Sequence, residues 1–181
     1  MGLRALRILG DPVLRKKSAS VIEITDEHRE LIEDMYETMH ANNGVGLAAP
    51  QVGVSLRIAV LGIPERGKKV MHVTLINPEY ENATGSQDDD EGCLSIPGVY
   101  DGLKRAAKVD VRAMSEKGEA VSFTCEGLFA RAVQHEVDHL NGMLFIDRLS
   151  ILRRQRLKKE LKAIEESYAD LSAATAKPRR D

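Results

Sequence analysis

The chain has 181 residues, 43% of them hydrophobic, with 26 Lys and Arg against 28 Asp and Glu and a formal charge of −2 at pH 7. That length is most simply one domain, able to bury about 70% of its unfolded surface around a single core, and the charge argues against a general or sequence-specific DNA binder. Two cysteines without CxxC spacing, and no apolar N-terminal stretch for a leader or membrane span, lead to the expectation of a cytoplasmic protein with no membrane partner.

In chain order, Asp26 can cap a helix running to about Asn42, with Leu31, Ile32, Met35, Tyr36 and Met39 at helical spacing and Asn42-Asn43-Gly44 as its stop. Gly44-x-Gly46-x-x-Ala49 imitates a dinucleotide fingerprint. A helix precedes it where a strand is required, however, and Pro50 would stop the helix that should receive a pyrophosphate. Strands are expected at Arg57 to Leu61, Val70 to Ile76, Lys108 to Met114 and Ala120 to Cys125, the last two joined through Glu116-Lys117-Gly118. Pro78 to Asp90 reads as an edge strand entering an acidic loop. Asp88-Asp89-Asp90 lacks the alternate spacing of a calcium loop and reads as a solvated turn. Cys125, in an alternating apolar run, reads as core packing.

Leu128 to Leu140 is helical in pattern, with Gly142 as its stop, and carries His135-Glu136-Val137-Asp138-His139. Residues four apart stack on one helix face, so His135 and His139 can grip one ion while Glu136, about 100° round, reaches a water beside it. Hydrolysis assisted by a zinc-type ion needs that division: neutral imidazoles as ligands, a carboxylate that moves the proton, and an open position. A third ligand has to come from distant sequence, and Cys93 in Glu91-Gly92-Cys93-Leu94-Ser95 offers a soft one; otherwise it is a small buried hydrophobe. His28, His40 and His72 have no ligand spacing to one another or to these motifs and read as surface or helix-end residues.

From Leu152 to Leu171, Leu157, Leu161, Ile164, Tyr168 and Leu171 form a heptad-like stripe, with Arg153, Arg154, Arg156, Lys158, Lys159 and Lys162 near its start. Residues 150–181 hold nine basic and five acidic side chains, so the rest of the chain is acidic. Packing back on the domain explains the stripe. It does not explain the charge. Antiparallel runs of strands with few helices make the fold class α+β. The expected organisation is a catalytic unit over residues 1–149, with a C-terminal helix and, after about Ser172, a polar tail over 150–181 belonging to the same domain.

Gly44-Val45-Gly46-Leu47-Ala48-Ala49-Pro50-Gln51, Glu91-Gly92-Cys93-Leu94-Ser95 and Gln134-His135-Glu136-Val137-Asp138-His139 resemble, in this order, the three signatures GxGLAAxQ, EGCLS and QHExDH of the peptide deformylases. The resemblance implies mixed, mainly antiparallel sheets around a central metal-binding helix, and removal of the N-formyl group from formyl-methionyl nascent polypeptides with release of formate. It implies one divalent ion on Cys93, His135 and His139, Fe(II) as the native metal with Zn(II), Ni(II) or Co(II) accepted. Glu136 would carry the proton, and the Gln51 amide and the Leu94 N–H would stabilise the oxyanion. Backbone near Val45, Gly46, Glu91 and Gly92 would pair with the peptide. Val45, Leu128, Ala132 and the His135 ring would receive methionine, with Arg131 at the pocket's mouth. Asp138 would brace the site, Arg105 reads as a structural ion-pair partner, and Tyr100 has no assigned role. The family's bacterial members also imply ribosome docking through the C-terminal helix. Two rivals remain: an ordinary zinc peptidase, since HExxH is shared by that class, and a ribosome-associated factor that has lost its chemistry.

Overall fold

The structure, a computed structural model, describes residues 2–64, 67 and 69–176. Its first helix, α1 (Asp26–Ala41), starts one residue earlier than Asp26 alone suggests, because Thr25 is the cap: its N–H donates to His28 Nδ1 at 3.1 Å. Asp26 sits in the first turn and pairs with Arg29 instead. Leu31, Ile32, Met35 and Met39 bury one face, and Asn43, at φ 54°, turns the chain out of the helix.

Five strands follow as one antiparallel sheet in the order β1 (Gly46–Ala48), β2 (Ile58–Ile63), β3 (Met71–Thr84), β6 (Lys108–Met114) and β7 (Ala120–Glu126). β2 is buried at every position because helices cover both its faces. Ile58 and Val60 pack with Leu31, Met35 and Met39 of α1. The alternate residues Leu61 and Ile63 pack with Ala130, Val133 and Val137 of α2 (Gly127–Leu140). A strand buried on both faces reads as a continuous apolar run, as Ile58 to Leu61 does.

Two expectations fail around Pro78. It lies inside the long central strand β3, not on a separate edge strand. The ladder tolerates it because Asn77 takes φ 52°, the register to β6 shifts between Ile76 and Glu79, and β2 has already ended opposite Ile76. Nor is the acidic run a turn. Asp88, Asp89 and Asp90 belong to β4 (Gln87–Cys93), which pairs antiparallel with β5 (Ile96–Arg105), a strand that the sequence reading missed. All named strand pairs are antiparallel; among the described residues the parallel component is one isolated bridge, Ala19 to Leu56.

The β4–β5 hairpin closes a third core, in which Ile96, Val99 and Leu103 meet Leu9, Leu14, Leu144, Phe145 and Leu161. The C-terminal segment is two helices, α3 (Ile151–Arg156) and α4 (Lys158–Ala176), divided at Leu157, whose ψ of −2° departs from helical values. Ser150 caps α3, and Arg153 reaches back to Asp101 at 2.8 Å. The break lets Leu157, Leu161 and Ile164 face the third core. Tyr168 lies against Gly10, whose φ of 110° and lack of a side chain permit the contact. Leu171 stays exposed. Helix continues past Ser172, where a polar tail is expected, and residues 177–181 of that tail lie outside the described residues. Among the described residues no helix is long and apolar enough to cross a membrane.

Candidate metal centre and active site

Helix α2 lays His135 and His139 one turn apart, with ring centroids 4.8 Å and Nε2 atoms 3.1 Å from each other. Cys93 arrives from the end of β4, where the register slips between Gly92 and Cys93 and turns the thiol toward the helix, 3.2 Å from His139 Nε2. The three donors lie within 4.8 Å of one another. Gly92 has the Tyr100 ring laid over it, where a Cβ would displace that exposed side chain.

One donor is already oriented by a partner behind it. His135 Nδ1 lies 2.6 Å from Glu91 Oε1, which leaves Nε2 to point at Cys93 and His139. Glu91 in turn accepts from Arg105 at 2.6 and 3.0 Å and from Arg131 at 2.9 Å. Arg105 continues to Asp138 at 2.7 Å, and Asp138 accepts from Arg148 Nε at 2.6 Å. The network explains the local charges. Burial disfavours the Glu91 carboxylate, but hydrogen bonds from His135 and Arg105 outweigh it and hold its pKa far below the ordinary range. Burial also opposes a charged His135, yet its bonds to Cys93 and Glu91 raise it well above 6.5. His139 goes the other way, lowered by burial and by the neighbouring His135.

Glu136 stands apart from this network. It is 3% exposed, its Oε2 has no hydrogen-bond partner among the described residues, and burial pushes its pKa up to about 7. Gly46 of β1 makes room for it, since a Cβ at that position would strike Oε1. Gln51, 1% exposed in the turn after β1, is fixed by its Oε1, which accepts from the Ala48 N–H at 2.8 Å. That contact sends Nε2 to Ser95 Oγ at 3.2 Å and toward Cys93 Sγ at 3.5 Å, so the amide's donors face the site.

A cleft of about 530 Å3 opens over these groups and brings together Val45, Gly46, Gln51, Glu91, Gly92, Cys93, Leu94, Leu128, Ala132, His135 and Glu136. Among the described residues β1 is the edge of its sheet and β4 pairs only with β5, so each has an edge outside those ladders beside the cleft. Two residues do more than expected. Glu91 contributes a buried side chain that holds His135, a role missed on sequence; the signal was an acid two residues before the cysteine and a ligating imidazole needing a partner. Arg131 lines the cleft as expected, but it is 6% exposed and its guanidinium also holds Glu91 at 2.9 Å. Leu6, Ile8, Pro97 and Gly98 also line the cleft and carried no sequence signal, while Asn42 and Asn43, read as a helix stop, join them. The N-terminal segment is held there by Arg7 N to Gln51 O and Leu9 N to Ser95 O, both 2.8 Å. A second cleft of about 540 Å3, at the far end of α2 beside Arg57, Asp138 and Arg148, contains neither Glu136 nor any of the three donors.

A sequence model of the polypeptide deformylases matches residues 3–155. The chain is 42% identical over 164 residues to a peptide deformylase of Alkalilimnicola ehrlichii, covering 91% of this chain and 92% of that protein. Among solved structures, a peptide deformylase from Legionella pneumophila is 41% identical with a TM-score of 0.82, covering 97% of this chain and 99% of its own. That from Thermus thermophilus is 38% identical with a TM-score of 0.84, covering 92% and 99%.

Proposed function

This chain belongs to the peptide deformylase family, metal-dependent hydrolases that remove the N-formyl group from nascent polypeptides, and on that premise we propose how its own residues divide the work. The observation that carries the proposal is Glu136: a buried carboxylate whose Oε2 has no hydrogen-bond partner among the described residues, poised near neutral pKa, beside three convergent donors at the floor of a cleft.

Cys93, His135 and His139 fit a divalent ion, because one soft and two imidazole donors converge and Glu91 already occupies the outer nitrogen of His135. Fe(II) is the native metal in this reading, with Zn(II), Ni(II) and Co(II) compatible with the same donors. A divalent ion bound there supplies Lewis acidity and makes water more acidic. Glu136 accepts the proton of the attacking water and passes it to the leaving amine as the carbon–nitrogen bond breaks, giving formate and a free N-terminus. Proton transfer of this kind contributes roughly 10²–10⁴-fold. Gln51 Nε2 and the Leu94 N–H stabilise the charge that develops on the formyl oxygen. The backbone at Val45 and Gly46, where the chain enters β1, and that of β4 at Glu91 and Gly92 pair with the peptide backbone, and Val45, Leu128 and Ala132 receive the methionine side chain.

Residues 1–149 hold this machinery, and residues 150–181 complete the same domain through Leu161 and its neighbours. The enzyme acts in the cytoplasm and meets the ribosome through the C-terminal helix. Not every basic residue there is free for phosphate: Arg153 and Arg156 face Asp101, Arg154 faces Asp147 and Lys162 faces Glu166. Lys158 and Lys159 are exposed and are the residues assigned to that contact. Incubation with formyl-Met-Ala tests the reaction. Formate should appear while the Met–Ala bond stays intact; cleavage of that bond without formate would assign the site to a peptidase.

A further inference from the structure

His40 ends the last turn of α1 and His72 lies on β3, and the fold brings these residues, 32 apart in sequence, to an Nε2–Nε2 distance of 2.9 Å. Both side chains are exposed. Tyr36 holds the pair: its ring stacks on His40 with centroids 6.4 Å apart and meets His72 edge-on at 5.1 Å. The two imidazoles stand at 65° to each other, with centroids 4.9 Å apart. Position 62, opposite His72 on the neighbouring strand, is glycine, and even a Cβ there would come within 3.5 Å of His40 Cε1.

Two ring nitrogens this close either share one proton or share one cation. The 2.9 Å separation is that of an N–H···N hydrogen bond in the metal-free protein, and it also lets both nitrogens reach one cation. Imidazole nitrogens bound at about 2.0–2.1 Å and at right angles stand about 2.9 Å apart, whereas tetrahedral ligands stand about 3.3 Å apart. Right-angled imidazole pairs suit the tetragonal ions Ni(II) and Cu(II). We infer that His40 and His72 form a second metal site, a two-histidine clamp for a tetragonal divalent ion with water in its remaining positions, joining the end of α1 to β3. Cys93, His135 and His139 are the one group of three or more ligating side chains among the described residues, so the clamp has two protein ligands and binds more weakly than that centre. Its place has a consequence for the cleft. α1 leads directly into Asn42, Asn43 and Gly44, which form part of the cleft wall, so an ion at the clamp tethers the root of that wall.

Ni(II) is the probe, because Cu(II) would oxidise the Cys93 thiolate. Holoenzyme carrying one Ni(II) is dialysed against rising free Ni(II), and protein-bound metal is counted by mass spectrometry. A second equivalent is expected in the parent protein, together with a rise in thermal midpoint as it binds. His40→Ala and His72→Ala should each weaken that second equivalent by about tenfold or more, as befits loss of a direct ligand, and should abolish its thermal effect. Neither should change the first equivalent or turnover of a formyl peptide. His72→Gln, which keeps a polar side chain beside Tyr36, should behave as His72→Ala does and so separates ligation from packing. Failure to bind a second equivalent overturns the inference, as does a second equivalent bound equally well by all three variants.

Discussion

Glu136 and Asp138 stand two residues apart on α2 and are both 3% exposed, yet they live in opposite electrostatic surroundings. Asp138 is clasped between Arg105 and Arg148, with two guanidinium groups to neutralise one carboxylate. Glu136 Oε2 has no partner among the described residues, and burial lifts its pKa to about 7. Depth in the core is therefore no guide to role; the counter-ion is. The helix ties one acid to two guanidinium groups as a strut and leaves the other able to gain and lose a proton near neutrality, where proton transfer is most useful.

The widest separation between the two should come from isosteric amides. Glu136→Gln removes the proton acceptor while keeping its volume, so kcat should fall by roughly 10²–10⁴-fold with the metal retained, measured as formate release per bound metal. Asp138→Asn should show the reverse emphasis. It leaves Arg105 and Arg148 short of their shared counter-ion, and breaking a buried pair in this way costs about 3–5 kcal/mol, read from urea unfolding. Its turnover per bound metal should fall far less than that of Glu136→Gln. Equal losses of turnover in the two variants would erase the distinction.

Glu91 lies between these extremes, a strut that acts on the metal through His135. Glu91→Gln should weaken metal binding by about 10–100-fold in competition with a chelator, and turnover should recover at saturating metal. Charges on the solvent side should matter least to the fold. Lys158→Glu with Lys159→Glu should change stability by no more than about 0.5 kcal/mol while reducing salt-sensitive cosedimentation with ribosomes. Unchanged cosedimentation would remove the helix from that contact. Charge reversal is cleaner than truncation, because Leu161 is buried in the core that a deletion would open.

The metal helix, its two imidazoles and the alternating strands β6 and β7 were legible because their chemistry is local: a four-residue spacing, and a two-residue alternation. The β4–β5 hairpin was not, since three aspartates, Pro97, Gly98 and Gly102 are turn-like residues in isolation and are held as strands only by pairing with each other and by the core under Ile96, Val99 and Leu103. Glu91 was placed at the cleft by its neighbours in sequence, while the direction of its side chain depends on Arg105 and Arg131, 14 and 40 residues away. His40 and His72 were set aside for want of spacing, a criterion that is blind to pairs made by tertiary packing. The C-terminal stripe was visible, but the break at Leu157 was not, because nothing in its residue type interrupts a helix.

Burial makes Glu136 hold its proton, and comparing the unfolding free energies of metal-free parent and Glu136→Gln between pH 4.5 and 8 measures that hold most directly. A carboxyl whose folded pKa of about 7 exceeds its ordinary 4.5 binds its proton more tightly in the folded state. Its contribution is then fully present below about pH 4.5 and is lost as pH rises through about 7. The parent should therefore lose stability relative to Glu136→Gln across that window, by a few kcal/mol, with the difference flat above it. A difference that does not change with pH from 4.5 to 8 would show that Glu136 is ionised throughout and would contradict the account.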